Sequence, residues 1–363
     1  MKLYEYQAKE LFREFGIPIQ RGFLIESPEE LEELDISYPL VLKAQVLVGG
    51  RGKAGGIKLA ESLEDAKMKA FKILGMKIKG EKVSKLLVLE AFEILKEYYL
   101  SFTIDRSKRS PVCIASSCGG IDIEEVAEKS PEKLLKLYFQ DFKPYNARVL
   151  GSELGLKKKK LSEFAKVAFK LYNLFKAYDA TLSEINPLAL TPQGFLAIDA
   201  KLVIDDNALF RQNLKETEGE YTKLELEAKL SGLSYVELSG DIAIIGCGAG
   251  LVMASLDVVQ NYGGKPANFC DVGGGATAKS MRKALEIVTK KKGVKTVFCN
   301  IFGGITRCDE IARGIIDFNS KIPISVRMMG TNEREGIELL KRHGFKAFSS
   351  MEEAAKRAVE LSS

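Results

Sequence analysis

Only one histidine, His343, occurs in the 363 residues. It sits in "KRHGF", in the last turn of a helix that Gly344 would cap, and such a residue is an ordinary helix end rather than a catalytic base. Cysteine is sparse as well. Cys113, Cys118, Cys247, Cys270, Cys299 and Cys308 form no CxxC pair. A chain this long has no need of disulfide staples, so they read as reduced, mostly buried thiols of a cytoplasmic protein. No apolar run approaches the roughly 20 residues of a membrane helix. The N-terminus "MKLYEYQAKELFREFG" has no apolar signal core. Its Tyr4, Ala8, Leu11, Phe12 and Phe15 instead share one face of a helix that Gly16 and Pro18 end. Charge of one sign is also missing. Lys and Arg number 54 against 49 Asp and Glu, a net +5 with both signs mixed along the chain. That suits a small anionic ligand and does not support nucleic-acid binding. The longest basic run, Lys157 to Lys160, has no interleaved aromatics for base stacking.

What is present divides the chain in two. The last 120 or so residues repeat a strand, a glycine-bearing turn and a helix, with starts about every 27 residues. The units begin "DIAIIGCGAG" at Asp241, "PANFCDVGGGAT" at Pro266, "VKTVFCNIFGGIT" at Val294 and "IPISVRMMG" at Ile322. Short wholly apolar strands between helices predict a flavodoxin-like parallel sheet, with ligands at the carboxyl ends of its strands. The first 220 residues mix strands at 39–48, 85–92 and 98–106 with helices at 63–74, 123–138 and 161–177. They end in a hairpin, "SEINPLALTPQGFLAIDAKLVID", that turns at Thr191 to Gly194. This is an α+β pattern. A polar stretch around Gln212 to Ala228 separates the halves. The expected organisation is 1–222, a linker at 223–239, and 240–363.

The stretch "GGRGKAGGIK", Gly49 to Lys58, carries the strongest chemical signal. Glycines among cations suggest a loop around phosphate. It is not a Walker A loop, because no Ser or Thr follows the lysine and the strand-like "IKLA" comes next. A strand–loop–strand arrangement can instead fold its backbone amides over phosphates, with Lys43 reaching them from the preceding strand. On the later hairpin, Asn186 and Asp199 can face each other and offer hard oxygens to Mg²⁺. Glu90 and Glu97 flank "AFEILK", where acceptors can meet a base or ribose. In the second half, "GCGAG" (246–250) and "GGGAT" (273–277) only partly fit a dinucleotide fingerprint. "FGGIT" (302–306) precedes a helix whose first amides, at Gly304, Ile305 and Thr306, suit a phosphate or carboxylate.

Taken together, "YEYQAKELF", "VLKAQVLVGGRGKAGGIK", "EINPL", "DNALFRQ", "PANFCDVGGGA" and "NIFGGITRCDEIA" resemble the succinyl-CoA synthetase β-subunit family over essentially the whole chain. The resemblance implies an α+β ATP-grasp domain followed by a flavodoxin-like α/β CoA-ligase domain. It implies nucleotide contacts at Lys43, Gly50, Arg51, Gly52, Glu90, Glu93 and Glu97, and Mg²⁺ ligands at Asn186 and Asp199. It implies catalytic roles for Arg51 and for Glu184, the carboxylate that meets a phosphohistidine. Gly304, Ile305 and Thr306 would line a second phosphate and substrate site, together with Cys247, which stands where the family usually has Asn. The histidine and most CoA contacts would belong to an α subunit, in an αβ or α₂β₂ assembly. The implied cofactors are Mg²⁺ and ATP/ADP or GTP/GDP, and Gln20 leans towards GTP. Subunits of malate–CoA ligase or citryl-CoA synthetase, or a nucleotide-binding regulator of the same fold, are the alternatives.

Overall fold

The computed structural model describes residues 1–121, 123–212, 214 and 221–363. It forms two compact units, Met1–Glu220 and Tyr221–Ser363. Residues 213 and 215–220, part of the polar stretch expected between the halves, lie outside the described residues.

Among the described residues the first unit holds three antiparallel sheets, one of them only the two-stranded Lys77–Ile78 and Glu81–Lys82. The smaller of the other two orders its strands Gly22–Ile25, Leu86–Glu90, Leu40–Ala44, Ile57–Ala60. The larger orders them Gly194–Ala197, Ala180–Thr191, Lys96–Asp105, Ser110–Ser116, Leu134–Tyr138, and Lys201–Ile204 also pairs with Ala180–Thr191. The helix Lys158–Ala177 buries Phe164, Val167, Ala168, Leu171, Leu174 and Phe175 at three- and four-residue spacing. That apolar stripe fixes which side of the helix meets the core. Phe102, fully buried on its strand, packs edge-on to Phe142 at 4.9 Å between ring centroids and also touches Phe139, Tyr172 and Phe175.

Two expectations change here. The helix expected over 123–138 stops at Lys129. Pro131 cannot continue it, and Leu134–Tyr138 runs extended beside Ser110–Ser116. The expected linker at 223–239 is built structure. Thr222 caps the helix Lys223–Leu230, accepting from the Glu225 amide at 3.2 Å, and Ser234–Glu237 forms an edge strand. Its polarity reflects a surface helix and an edge strand, not a free connection.

The second unit is a six-stranded sheet. Named by first residue, the order is Ser234, Asn268, Ile242, Thr296, Ile324, Ala347. Only the Ser234 strand runs antiparallel to its neighbour. Without it, the order is the 2-1-3-4-5 of a flavodoxin-like sheet. The first parallel strand, Ile242–Gly246, therefore lies between the second and third. Connections leave it and its neighbour on opposite faces, the switch point at which open α/β sheets bind ligands. The α+β followed by flavodoxin-like α/β expectation is borne out.

Truncating Phe102 to Ala should destabilise the first unit by about 3–5 kcal/mol. Truncating the largely exposed Phe71 should change it by less than about 0.5 kcal/mol. Urea denaturation read by hydrogen exchange in strand Lys96–Asp105 checks both.

Candidate functional site

Strands Leu40–Ala44 and Ile57–Ala60 pair antiparallel, Lys43 opposite Ile57, so the glycine stretch is the loop joining them, as expected. It is a folded turn. The Ala54 amide donates to the Gly50 carbonyl at 3.1 Å and the Gly56 amide to the Arg51 carbonyl at 2.8 Å. Gly50 and Gly55 have φ of 86° and 81°, the region where glycine alone is unstrained. At Gly56 any Cβ would stand 2.6 Å from Ile78 Cδ1 and 3.1 Å from the Ala44 Cβ.

Beneath this loop lies a cavity of about 530 Å³. Lys43, Gly50, Arg51, Gly52, Glu97, Glu184, Asn186 and Asp199 all line it, although they come from four distant segments. The hairpin supplies the last three. Its ladder with Lys96–Asp105 shifts register between Ile185 and Leu188, so Asn186 and Pro187 stand off the regular pairing. On the hairpin's other side, Leu188 pairs with Ala197. Continuing that register past the strand ends brings Asn186 opposite Asp199, the arrangement the sequence suggests.

The floor of the cavity is a buried ion network. Arg51 Nη2 lies 2.9 Å from each Asp199 oxygen. Arg51 Nη1 lies 2.7 Å from Glu5 Oε2. Lys43 Nζ donates to Glu5 Oε1 at 2.8 Å and to the Ile198 carbonyl at 2.7 Å. Lys9 Nζ donates to the same carbonyl at 2.9 Å and to Gln20 Oε1 at 3.1 Å. Burial alone would raise the Glu5 carboxyl, but Lys43, Arg51 and Lys9 hold it well below the ordinary carboxylate range. Burial, with Lys43 nearby, pulls Lys9 down to about 8. Burial disfavours the Arg51 charge too, yet Asp199 and Glu5 outweigh it and hold the guanidinium protonated. Arg51 is thus no free cation of the glycine loop. It is a largely buried side chain gripped from both sides.

On the opposite wall, the Gly120 amide donates to Asn186 Oδ1 at 2.8 Å, and Asn186 Nδ2 donates to the Ile121 carbonyl at 2.9 Å. A Cβ on Gly120 would meet Glu97 Oε2 at 2.3 Å. The Gly119-Gly120 turn therefore lies directly against two residues of the site. Burial pushes the Glu97 carboxyl above its usual range. Burial does the same to Glu184, opposed by Lys201 and by the Tyr99 hydroxyl, which donates to Glu184 Oε2 at 2.8 Å.

Not every expected residue joins this group. Glu93 is exposed, and neither it nor Glu90 lines the cavity. The Gln20 amide is occupied. It accepts from Lys9 and donates to the Glu90 carbonyl at 3.0 Å, so the structure gives no support to a base-reading role. Four features escape the sequence reading: Glu5, Lys9, Tyr99 and the Gly119-Gly120 turn. A signal for the first two exists. Glu5 and Lys9, four apart, share a helix face with the buried Ala8 and Phe12, and a charged pair inside an apolar stripe marks a buried ion pair. Of the face expected at the N-terminus, Tyr4 and Phe15 are only partly buried, because the buried side turns towards Glu5 and Lys9.

In the second unit, three glycine-bearing turns meet at the carboxyl ends of adjacent strands. Asp271 Oδ1 accepts from the Gly248 and Gly273 amides at 2.6 and 2.7 Å. The Thr306 hydroxyl accepts from the Gly275 amide at 2.9 Å. Burial pushes the Cys247 thiol, beside Thr306, up to about 12, so it stays protonated at neutral pH. Gly304, Ile305 and Thr306 are not the helix N-terminus expected of them. The helix starts at Cys308, and the three residues form the turn before it. That helix already carries Asp309 and Glu310 in its first turn, which complement its positive end. Ile305 is 88% exposed and Thr306 is buried. His343 ends the helix Glu333–Arg342, its Nδ1 2.9 Å from the Leu339 carbonyl, as expected of a helix-end residue. The six cysteines are all free. Among the described residues, no helix is long and apolar enough to cross a membrane.

Comparison with known proteins agrees with this division. The ATP-grasp domain family matches residues 2–190, and the CoA-ligase family matches residues 245–361. The ADP-forming succinate–CoA ligase β subunit of Methanocaldococcus jannaschii is 48% identical, over 99% of this chain and all of that one. The corresponding ADP-forming subunit of Ignicoccus hospitalis is 47% identical over 99% of each chain. A GDP-forming one from Thermus thermophilus is 46% identical, again over 99% of each. Among solved structures, ATP citrate lyase from Methanothrix soehngenii, in complex with citrate and coenzyme A, matches 99% of each chain. Its TM-score is 0.77 at 20% identity, a likeness of fold. With an antiparallel first unit, a flavodoxin-ordered second unit and full-length relatives near half identity, the chain belongs to the succinate–CoA ligase β-subunit family.

Proposed function

We propose that this chain supplies the nucleotide site of a two-subunit ligase. With a CoA-binding α subunit, it would interconvert succinate, CoA and ATP or GTP with succinyl-CoA, the nucleoside diphosphate and phosphate. One observation supports this most. A single cavity gathers the glycine turn, two basic side chains and two oxygen donors at the residues where the family resemblance expects phosphate and Mg²⁺ contacts.

The donor set fits Mg²⁺. Asp199 and Asn186 present hard oxygens at one cavity. Among the described residues, no cluster of three or more acidic, His or Cys side chains would hold a metal by itself. Mg²⁺ takes one or two protein ligands and completes its shell with phosphate oxygens and water. When bound, it offsets charge on the nucleotide phosphates. Lys43, itself buried and held by Glu5 and the Ile198 carbonyl, adds a positive charge at a preorganised position, where electrostatic stabilisation is stronger than in water. Glu184, held by Tyr99, would accept the free ring N–H of a phosphohistidine brought by the α subunit and orient it for transfer to the diphosphate. The reaction runs through an acyl phosphate: succinate takes the phosphoryl group from the histidine, and the CoA thiol then displaces phosphate. In the second unit, the turns around Cys247, Gly273–Gly275 and Gly304–Thr306 would line the carboxylate and phosphate end. The protein is expected to work in the cytoplasm.

Two outcomes follow. The purified chain should bind Mg²⁺–ADP or Mg²⁺–GDP by calorimetry yet form no acyl-CoA until the α subunit is added. Assays with succinate, malate and citrate in parallel check this, and turnover by the single chain would contradict the divided site. The second outcome concerns pH. Because burial raises the Glu184 carboxyl, phosphoryl transfer should lose activity on acidification above the ordinary carboxylate range. Tyr99→Phe removes a hydrogen bond that favours the ionised form, so its acid limb should move to higher pH in the measured pH–rate profile.

A further inference from the structure

Glu5 has no part in the chemistry proposed above. Its side chain is 1% exposed, and its oxygens face different cations. Oε1 holds Lys43, at the end of the strand that enters the glycine turn. Oε2 holds Arg51, in the middle of that turn. The carboxylate is itself fixed. Glu5 is the first residue of the helix Glu5–Glu14, whose start is tied by the Tyr4 amide to Gln7 Oε1 at 2.9 Å. The Tyr6 amide donates to Gln45 Oε1 at 3.2 Å, which docks this helix end on the residue next to Ala44.

We propose that Glu5 is a positioning residue of the phosphate site, its buried carboxylate fixing where Lys43 Nζ and the Arg51 guanidinium stand and thereby setting nucleotide affinity. The inference rests on the nucleotide reading above. It also follows from what surrounds the two cations. Lys9, Lys43 and Arg51 are three buried positive groups, faced by Glu5 and Asp199. Asp199 is one-third exposed at its side chain, and Glu5 is sealed. A cation arriving with the nucleotide can compete with Arg51 for Asp199. It reaches Glu5, 1% exposed against 30% for Asp199, far less readily. The Glu5 half of the grip is therefore the one that persists when the cavity fills, keeping Arg51 at its edge. A buried ion network is a costly way to add stability, because apolar residues of similar volume do as well or better. Its position beneath a cavity of about 530 Å³ is what an affinity role explains and a stability role does not.

The test is calorimetric titration of the full chain with Mg²⁺–ADP, alongside thermal unfolding by circular dichroism. Glu5→Gln removes the charge at nearly constant shape. Glu5→Asp keeps the charge but draws it back from both cations. In folded Glu5→Gln, affinity should fall about 10- to 100-fold, the size of loss seen when the group that orients a metal ligand is removed. Glu5→Asp should recover most of the lost melting temperature but little of the affinity, a split that a purely structural role would not produce. Folded Glu5→Gln binding within about twofold of the parent would overturn the proposal. If Glu5→Gln fails to fold, parent-like affinity in Glu5→Asp would overturn it equally. If the parent chain itself binds no Mg²⁺–ADP, the nucleotide reading fails first and this inference with it.

Discussion

The ion pair between Arg51 Nη2 and both Asp199 oxygens, with Glu5 behind it, is the constraint on which the rest of the first unit's site depends. Three separate pieces of chain meet there: the N-terminal helix, the glycine turn and the descending arm of the hairpin. Isolated, each ion would face a large desolvation cost. Together they nearly balance, and the network also closes the cavity floor. Lys43 and Lys9 share the Ile198 carbonyl, so the backbone just before Asp199 is held by the same cations that its side chain and Glu5 neutralise. Removing either carboxylate leaves the three cations further uncompensated, so changes at members of the cluster are expected not to add.

The walls above this floor are built by different means. The register shift at Asn186-Pro187 takes Asn186 out of its ladder, and the Gly119-Gly120 turn meets it. Glu184 stays on its strand opposite Ser101, and Tyr99 reaches it from the same neighbouring strand. A regular sheet thus presents the carboxylate, while an irregularity presents the amide oxygen beside it. The second unit uses neither device. There the parallel order brings three strand ends together, and Asp271 and Thr306 tie their glycine turns by accepting backbone amides.

Much of this was legible in the sequence because its signals are local. Period-two and period-3.6 apolar patterns mark most strands and helices, and glycines at strand ends mark the turns. The strand after "GGRGKAGG" rules out a Walker A loop without a structure. The less legible features depend on contacts between distant residues. Nothing near Arg51 in sequence shows that Glu5 and Asp199 will grip it, so a cation within a glycine loop is a buried one. Polar composition at 223–239 suggests a linker, although a capped helix and an edge strand give the same composition. Five continuous helix-compatible residues at 134–138 become a strand because a partner strand is present. The turn at Gly304–Thr306 reads as a helix start because the boundary lies only a few residues further on.

The account stands or falls on where the phosphoryl group goes. The most direct measurement mixes this chain with the histidine-phosphorylated α subunit and Mg²⁺–ADP, in the absence of succinate and CoA, and follows the labelled phosphoryl group through a single turnover. The account predicts its appearance on the nucleotide, and its retention on the histidine when this chain is omitted. Equal transfer without this chain, or none with it, would contradict the account.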